Sequence, residues 1–131
     1  MKIDHIGIAV RDIEQALQVY QVALGLPLHE VVDVPDQQVR VAFLPVGDSN
    51  IELVQPTSQD SGTARFIEKR GEGIHHICVQ VEDVDAVLEQ LKASGVPLID
   101  QEARAGAHGR VAFVHPKGTH GVLLELVEHA G

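Results

Sequence analysis

Four residues that could bind a metal ion occupy equivalent positions in the two halves of an internally repeated sequence. Placing KIDHIGIAV over GIHHICVQV puts His5 opposite His76, and placing IELV over LELV puts Glu52 opposite Glu125. Two imidazoles and two carboxylates suit Co²⁺, Mn²⁺, Ni²⁺, Zn²⁺ or Fe²⁺, with positions left for water or substrate. We therefore expect His5, Glu52, His76 and Glu125 to bind one divalent metal ion, with Co²⁺ the first choice.

The repeat extends through nearly the whole chain and keeps its order. GLPL at 25–28 matches GVPL at 95–98, and RVAFLP at 40–45 matches RVAFVH at 110–115. Such ordered self-similarity indicates tandem duplication. The 131 residues suit one domain. We expect a first module at 1–56, a connector with a short helix at 57–72 and a second module at 73–131.

Each half predicts the order β-α-β-β-β. Alternating apolar residues favour strands, and Asp12 with Gln15 three positions on is a capping pattern for the first helix. The predicted strands are 2–9, 28–34, 38–45, 49–55, 73–81, 97–102, 110–115 and 121–128, and the predicted second and connector helices are 83–93 and 63–70. The expected fold class is α+β, with two tandem βαβββ modules that form curved mixed sheets around a metal-binding cleft.

Strand alternation predicts which face each ligand occupies. Successive side chains of a strand point to opposite faces. Ile8 and Leu53 therefore belong to the face covered by helices, whereas His5 and Glu52 belong to the other face. The second half repeats the pattern. If the two sheets pair about a pseudo-twofold axis, the four side chains converge in one cleft.

Composition excludes several kinds of partner. The net charge of −9 argues against nucleic acid and against anionic membrane surfaces. No apolar run approaches the length of a membrane span, and a strand pattern rather than a leader follows Met1. Cys78 is the only cysteine, so no intrachain disulfide can form, and we expect a cytoplasmic protein.

The sequence resembles a known family. DHIGIAV, IELV, HHICVQV and LLELV resemble the vicinal oxygen chelate superfamily, which includes glyoxalases, bleomycin resistance proteins and dioxygenases. GEGIHHICVQVEDVDAVL and HPKGTHGVLLELVE are similar to the methylmalonyl-CoA epimerase family within it. The resemblance covers essentially all of the chain and places the metal ligands on His5, Glu52, His76 and Glu125. Some epimerases have Gln in the slot of Glu52.

The resemblance implies a reaction as well as a fold. It implies epimerisation of (R)- and (S)-methylmalonyl-CoA by α-proton abstraction and return through a metal-stabilised enolate. Such a reaction needs a base on one face of the enolate and an acid on the other. Glu52 and Glu125 are the expected catalytic pair. Some relatives carry a catalytic carboxylate on the third strand of the first repeat, where VRVAFL has none.

Two cations are candidates for binding the acyl-CoA substrate. Arg110, the repeat partner of Arg40, could face the cleft or could form an exposed ion pair, and Lys117 in HPKG could reach a phosphate or carboxylate or stand in solvent. We also expect a homodimer. The sequence leaves open whether the modules pair within one chain or across that dimer.

Three alternatives remain within the same fold. Glyoxalase I, a lactoylglutathione lyase, uses nearly the same ligands. An extradiol dioxygenase is disfavoured because it needs one carboxylate and open positions, whereas Glu52 offers a fourth ligand. A non-catalytic resistance protein that binds small molecules would not need all four ligands.

Overall fold

The computed structural model describes residues 1–106 and 108–130. By its internal contacts the chain forms two compact units, His5–His75 and Met1–Asp4 with His76–Gly131, called here the N-unit and the C-unit. The elements are β1 (Lys2–Ala9), α1 (Ile13–Leu17), β2 (Glu30–Val34), β3 (Val39–Val46), β4 (Ser49–Pro56), α2 (Gly62–Arg70), β5 (Gly73–Gln80), α3 (Val84–Ala93), β6 (Arg104–Ala105), β7 (Gly109–Val114) and β8 (Leu124–His129). This order confirms the α+β class and the doubled βαβββ pattern.

In the N-unit the strands follow the order β2-β3-β4-β1, with β1 parallel to β4 and the other pairs antiparallel. Asp12 caps α1 because its Oδ1 accepts hydrogen bonds from the backbone N–H groups of Glu14 and Gln15. A π-helical turn at Gln18–Ala23 continues α1, and Gly25 ends it at φ +88°. Only glycine adopts that backbone angle without strain.

The two faces of the N-unit sheet carry different apolar clusters. Ile13 and Leu17 of α1 pack with Leu53 and Ala42 on the helix-covered face. The opposite face carries a cluster of valines and one phenylalanine that includes Val39, Val41, Phe43 and Val54, with Val32 and Val34 against it. The alternation predicted from the sequence is therefore confirmed for this unit.

The C-unit has the strand order β5-β8-β7-β6, with β5 parallel to β8. Asp83 caps α3 by accepting from the Ala86 N–H at 3.1 Å. Leu88 of α3 packs with Ala112 and Leu126 on the helix-covered face. No helix in the described part of the chain is long and apolar enough to span a membrane.

Two predicted strands of the second half were wrong in their bounds. Residues 97–102 form only an isolated bridge at Leu98, and β6 comes later, at Arg104–Ala105. The carboxylate of Asp100 accepts the hydrogen bond of the Phe113 N–H at 2.8 Å and so takes a donor that a strand would have used. The strand predicted at 121–128 begins at Leu124, because His120 and Gly121 adopt positive φ angles of a turn.

Truncation of the C-unit core should test its packing. Leu126 is 4% exposed and packs against α3, so Leu126→Ala should lower the free energy of unfolding by about 2–5 kcal/mol. Leu24→Ala makes the same change at a side chain that is 64% exposed and should cost less than about 0.5 kcal/mol. Urea unfolding of both variants measures the difference. Equal losses would contradict the assignment of Leu126 to the core.

Candidate functional site

His5 and Glu52 form a close pair in the N-unit. In the parallel register of β1 and β4, Glu52 lies opposite Gly7, two residues after His5, so both side chains leave the same face. His5 Nδ1 lies 3.0 Å from Glu52 Oε2. The two residues are only 7% and 9% exposed. Their face is the one away from α1, as the sequence predicts.

His76 and Glu125 form the corresponding pair in the C-unit. Glu125 lies opposite Cys78 in the register of β5 and β8, again two residues after the histidine. His76 Nε2 lies 3.3 Å from Glu125 Oε1, and both side chains are nearly buried. The duplicated sequence therefore yields a His–Glu pair twice, although His5 faces its glutamate through Nδ1 and His76 through Nε2.

Both pairs have a geometry that can serve a metal ion. Nitrogen and oxygen ligands bind transition ions at about 2.0–2.2 Å, so two ligands at a right angle lie about 3 Å apart. The separations of 3.0 and 3.3 Å match that spacing. An imidazole–carboxylate pair also suits the borderline ions named above. Each module thus supplies two donor atoms that are ready to bind in adjacent positions.

Mainly apolar residues surround each pair on its own face. Phe43 lies opposite Glu52 in the register of β3 and β4, next to Val41 and Val54. In the C-unit, a buried cluster of Cys78, Val111 and Val127 occupies the face of Glu125. Such surroundings limit water and strengthen electrostatic interactions with the carboxylates.

Arg110 occupies the helix-covered side of the C-unit. Its neighbour in parity, Ala112, belongs to the core beneath α3, and Arg110 makes two hydrogen bonds of 2.8 and 2.9 Å with Asp85 in the first turn of α3. The hydrogen-bonded guanidinium of Arg110 lowers the pKa of Asp85 below its usual range, and Asp85 in turn raises the pKa of Arg110. Arg40 is similarly ion-paired, with Glu14 and Asp33. Of the two predicted roles for these arginines, the geometry matches the exposed ion pair.

Lys117 lies in a short 3₁₀ turn, Pro116–Gly118, that follows β7. Its backbone N–H donates to His115 Nδ1 at 3.1 Å, and this bond fixes the start of the turn. The structure does not bring Lys117 together with Arg110, which stands at the other end of β7 from that turn.

Arg104, which was not predicted from the sequence, lies on the same strand face as His76 and Glu125. Arg104 stands over the Phe113 ring, with its Cζ 5.6 Å from the ring centroid, and Nε lies 3.5 Å from Asp100 Oδ1. A comparison of the two modules could have identified Arg104, because the first module has valines in the corresponding region. The ion pair of Asp4 with His129 also went unpredicted.

The sequence is similar to that of other proteins along most of its length. The model of the Glyoxalase/Bleomycin resistance protein/Dioxygenase superfamily matches residues 4–113. The mitochondrial methylmalonyl-CoA epimerase of Homo sapiens is 39% identical over 95% of this chain and 72% of its own. The ethylmalonyl-CoA/methylmalonyl-CoA epimerase of Cereibacter sphaeroides is 41% identical over 95% of this chain and 96% of its own.

A solved epimerase structure and a lyase of lower identity also match nearly the whole chain. The Streptomyces coelicolor methylmalonyl-CoA epimerase, in complex with 2-nitronate-propionyl-CoA, has a TM-score of 0.92 and 38% identity, covering 100% of this chain and 96% of its own. The lactoylglutathione lyase of Neisseria meningitidis is 27% identical over 98% of this chain and 91% of its own. The chain is thus more similar to the epimerases than to this lyase.

Proposed function

We propose a function from the premise that the chain belongs to the Glyoxalase/Bleomycin resistance protein/Dioxygenase superfamily and, within it, to the family of the methylmalonyl-CoA epimerases. In this proposal the protein is an isomerase that interconverts the (R) and (S) epimers of methylmalonyl-CoA. The observation that carries the proposal is the pair of equivalent carboxylates, Glu52 and Glu125, each held beside a histidine on a nearly buried strand face.

The proposed ligands of a divalent metal ion are His5, Glu52, His76 and Glu125. Support comes from the spacing of the donor atoms within each module and from the duplication that repeats them. The preferred ion remains Co²⁺, with Mn²⁺, Ni²⁺, Zn²⁺ and Fe²⁺ as further candidates. When bound, such an ion supplies Lewis-acid stabilisation of the enolate oxygen of the substrate.

The two carboxylates are proposed to carry the proton. One glutamate, as the carboxylate, removes the α-proton from one face of the acyl group, and the other, as the protonated acid, gives its proton to the opposite face of the enolate. The reverse reaction exchanges their roles. His5 lies 3.0 Å from Glu52, and His76 lies 3.3 Å from Glu125, so each carboxylate has an imidazole beside it when substrate binds. The apolar residues beside each pair exclude the water that would otherwise compete for the proton.

The coenzyme contacts, assembly and location are also proposals. Lys117 and Arg110 remain the candidate cations for the coenzyme, and Arg110 would have to share or leave Asp85 to make that contact. A homodimer and the two-module domain organisation are proposed from the sequence. A cytoplasmic location is proposed because Cys78 is the only cysteine, so no intrachain disulfide can form.

An isotope-exchange assay tests the proposed function. The protein with Co²⁺, incubated in deuterated water, should introduce deuterium at the α-carbon of methylmalonyl-CoA and interconvert its epimers. The hemithioacetal of methylglyoxal and glutathione should not be converted. Turnover of the hemithioacetal without exchange of the thioester would replace the proposal with the lyase. Binding without turnover of either substrate would indicate a non-catalytic binding protein.

A further inference from the structure

Arg104 lies on the strand face that carries His76 and Glu125. In the antiparallel register of β6 and β7, Arg104 lies opposite Val111, and cross-strand partners share a face. Val111 packs with Cys78 and Val127 in the buried cluster of that face. The position of the guanidinium over the Phe113 ring agrees with this assignment.

Phe113 connects Arg104 to the His76–Glu125 pair. It lies opposite Glu125 in the register of β7 and β8, and its ring is 6.1 Å from the His76 ring in an edge-to-face arrangement. The guanidinium and the imidazole therefore contact the same aromatic ring. A positive charge over an aromatic face is held by the ring quadrupole. Arg104 thus shares the Phe113 ring with His76, on the face that carries Glu125.

Asp100 orients Arg104 without using its terminal nitrogens. One Asp100 oxygen lies 3.5 Å from Arg104 Nε, and the other accepts the Phe113 N–H at 2.8 Å. Within the described ranges, 1–106 and 108–130, the two Nη atoms of Arg104 have no hydrogen-bond or ion-pair partner. The Arg104 side chain is 46% exposed, so a ligand can reach it. An oriented guanidinium with two free nitrogens is suited to bidentate binding of a carboxylate.

The first module has no such cation. Val41 is the repeat equivalent of Val111, and its partner across the ladder is Val32, which packs against the apolar cluster of the N-unit. Both modules therefore have a His–Glu pair, but at this ladder position the second module has Arg104 where the first has Val32. A substrate whose reacting end carries one additional anionic group would match that asymmetry.

We infer that Arg104 binds the free carboxylate of a malonyl-type acyl group and thereby selects thioesters that carry one; this inference rests on the proposed function. A free carboxylate of the substrate would add a negative charge to the strand face that carries Glu125, so a cation on that face would stabilise the bound substrate. A buried or partly buried anion without a partner is costly. Arg104 is the described cation that lies on this face and contacts the Phe113 ring.

Calorimetric titration of the Co²⁺-loaded protein tests the inference without relying on turnover. Malonyl-CoA carries the carboxylate, and propionyl-CoA lacks it. Arg104→Gln should raise the dissociation constant of malonyl-CoA by about tenfold or more, as loss of a charge-assisted hydrogen bond predicts. The dissociation constant of propionyl-CoA should change by less than about twofold, which is under 0.5 kcal/mol. Arg40→Gln removes the same charge from the helix-covered side and should leave both affinities unchanged.

The remaining outcomes separate this inference from the proposed function. Equal losses of affinity for both thioesters would place Arg104 at a coenzyme phosphate, and unchanged affinities would leave it a surface residue. Either result overturns the inference. The proposed function would still stand if the unmodified protein exchanges the α-proton. Should Arg104→Gln fail to fold, Arg104→Lys decides, because a lysine retains the charge but loses the fork. A loss confined to malonyl-CoA in that variant supports the inference, and its absence overturns it. If the unmodified protein shows no exchange, the proposed function itself fails.

Discussion

Removal of divalent metal should abolish α-proton exchange from methylmalonyl-CoA, and Co²⁺ should restore it. His76→Ala should have the same effect at low metal concentration, because it removes one proposed donor and leaves Glu125 without its neighbour at 3.3 Å. Mutation of a residue that only supports a ligand typically costs 10–100-fold, so loss of a ligand should cost more than about 100-fold in activity. Metal content after dialysis and exchange rate in deuterated water measure the two effects.

His29→Ala is the matched control for the metal prediction. The His29 side chain is 69% exposed and lies near Glu30 alone among the described ion-pair partners, so metal content and exchange should stay unchanged. His76→Ala should keep the native circular dichroism spectrum, since the helix-covered core of Leu88 and Leu126 is untouched. A metal-free protein that exchanges at the full rate would refute the proposed role of the ion.

The His–Glu pairs could be predicted from the sequence because their causes are local. A strand alternates with period two whatever surrounds it, and duplication supplies a second, independent copy of the pattern. Strand alternation puts His5 and Glu52 on one face, and the duplication puts His76 and Glu125 at the equivalent positions. These two observations were sufficient to place each pair on the face away from its helix. The capping residue Asp12 was an equally local signal.

The role of Arg104 could not be predicted in the same way because β6 is two residues long. So short a strand offers no alternation to read. Arg104 also lies near Asp100, whose hydrogen bond from the Phe113 N–H joins residues 13 positions apart. Arg110 shows the complementary case. The sequence shows that Arg110 and Ala112 share one face of their strand. It does not show which face that is, because this depends on the pairing of Phe113 with Glu125 across β7 and β8.

Substitution of the two glutamates should separate the two faces of the reaction. If each carboxylate serves one face of the enolate, Glu52→Gln should remove exchange from one epimer of methylmalonyl-CoA and Glu125→Gln from the other, with net epimerisation lost in both. A general acid or base typically contributes about 10²–10⁴-fold, so each loss should reach at least the lower bound. Exchange from each pure epimer, followed by NMR with metal content measured in every variant, distinguishes lost proton transfer from lost metal.

The control and the contrary result follow from the surroundings of each carboxylate. Glu89→Gln changes a glutamate on α3 whose side chain is 75% exposed, so both exchange rates should remain normal. In Glu52→Gln the amide oxygen can still bind metal beside His5. The amide cannot act as a base near neutral pH, because it has no carboxylate. Suppose that Glu52→Gln keeps its metal and near-normal epimerisation. Glu52 would then be only a replaceable ligand, and because Val41, Phe43 and Val54 beside it carry no titratable group, the proton carrier for that face would have to come from outside this cluster.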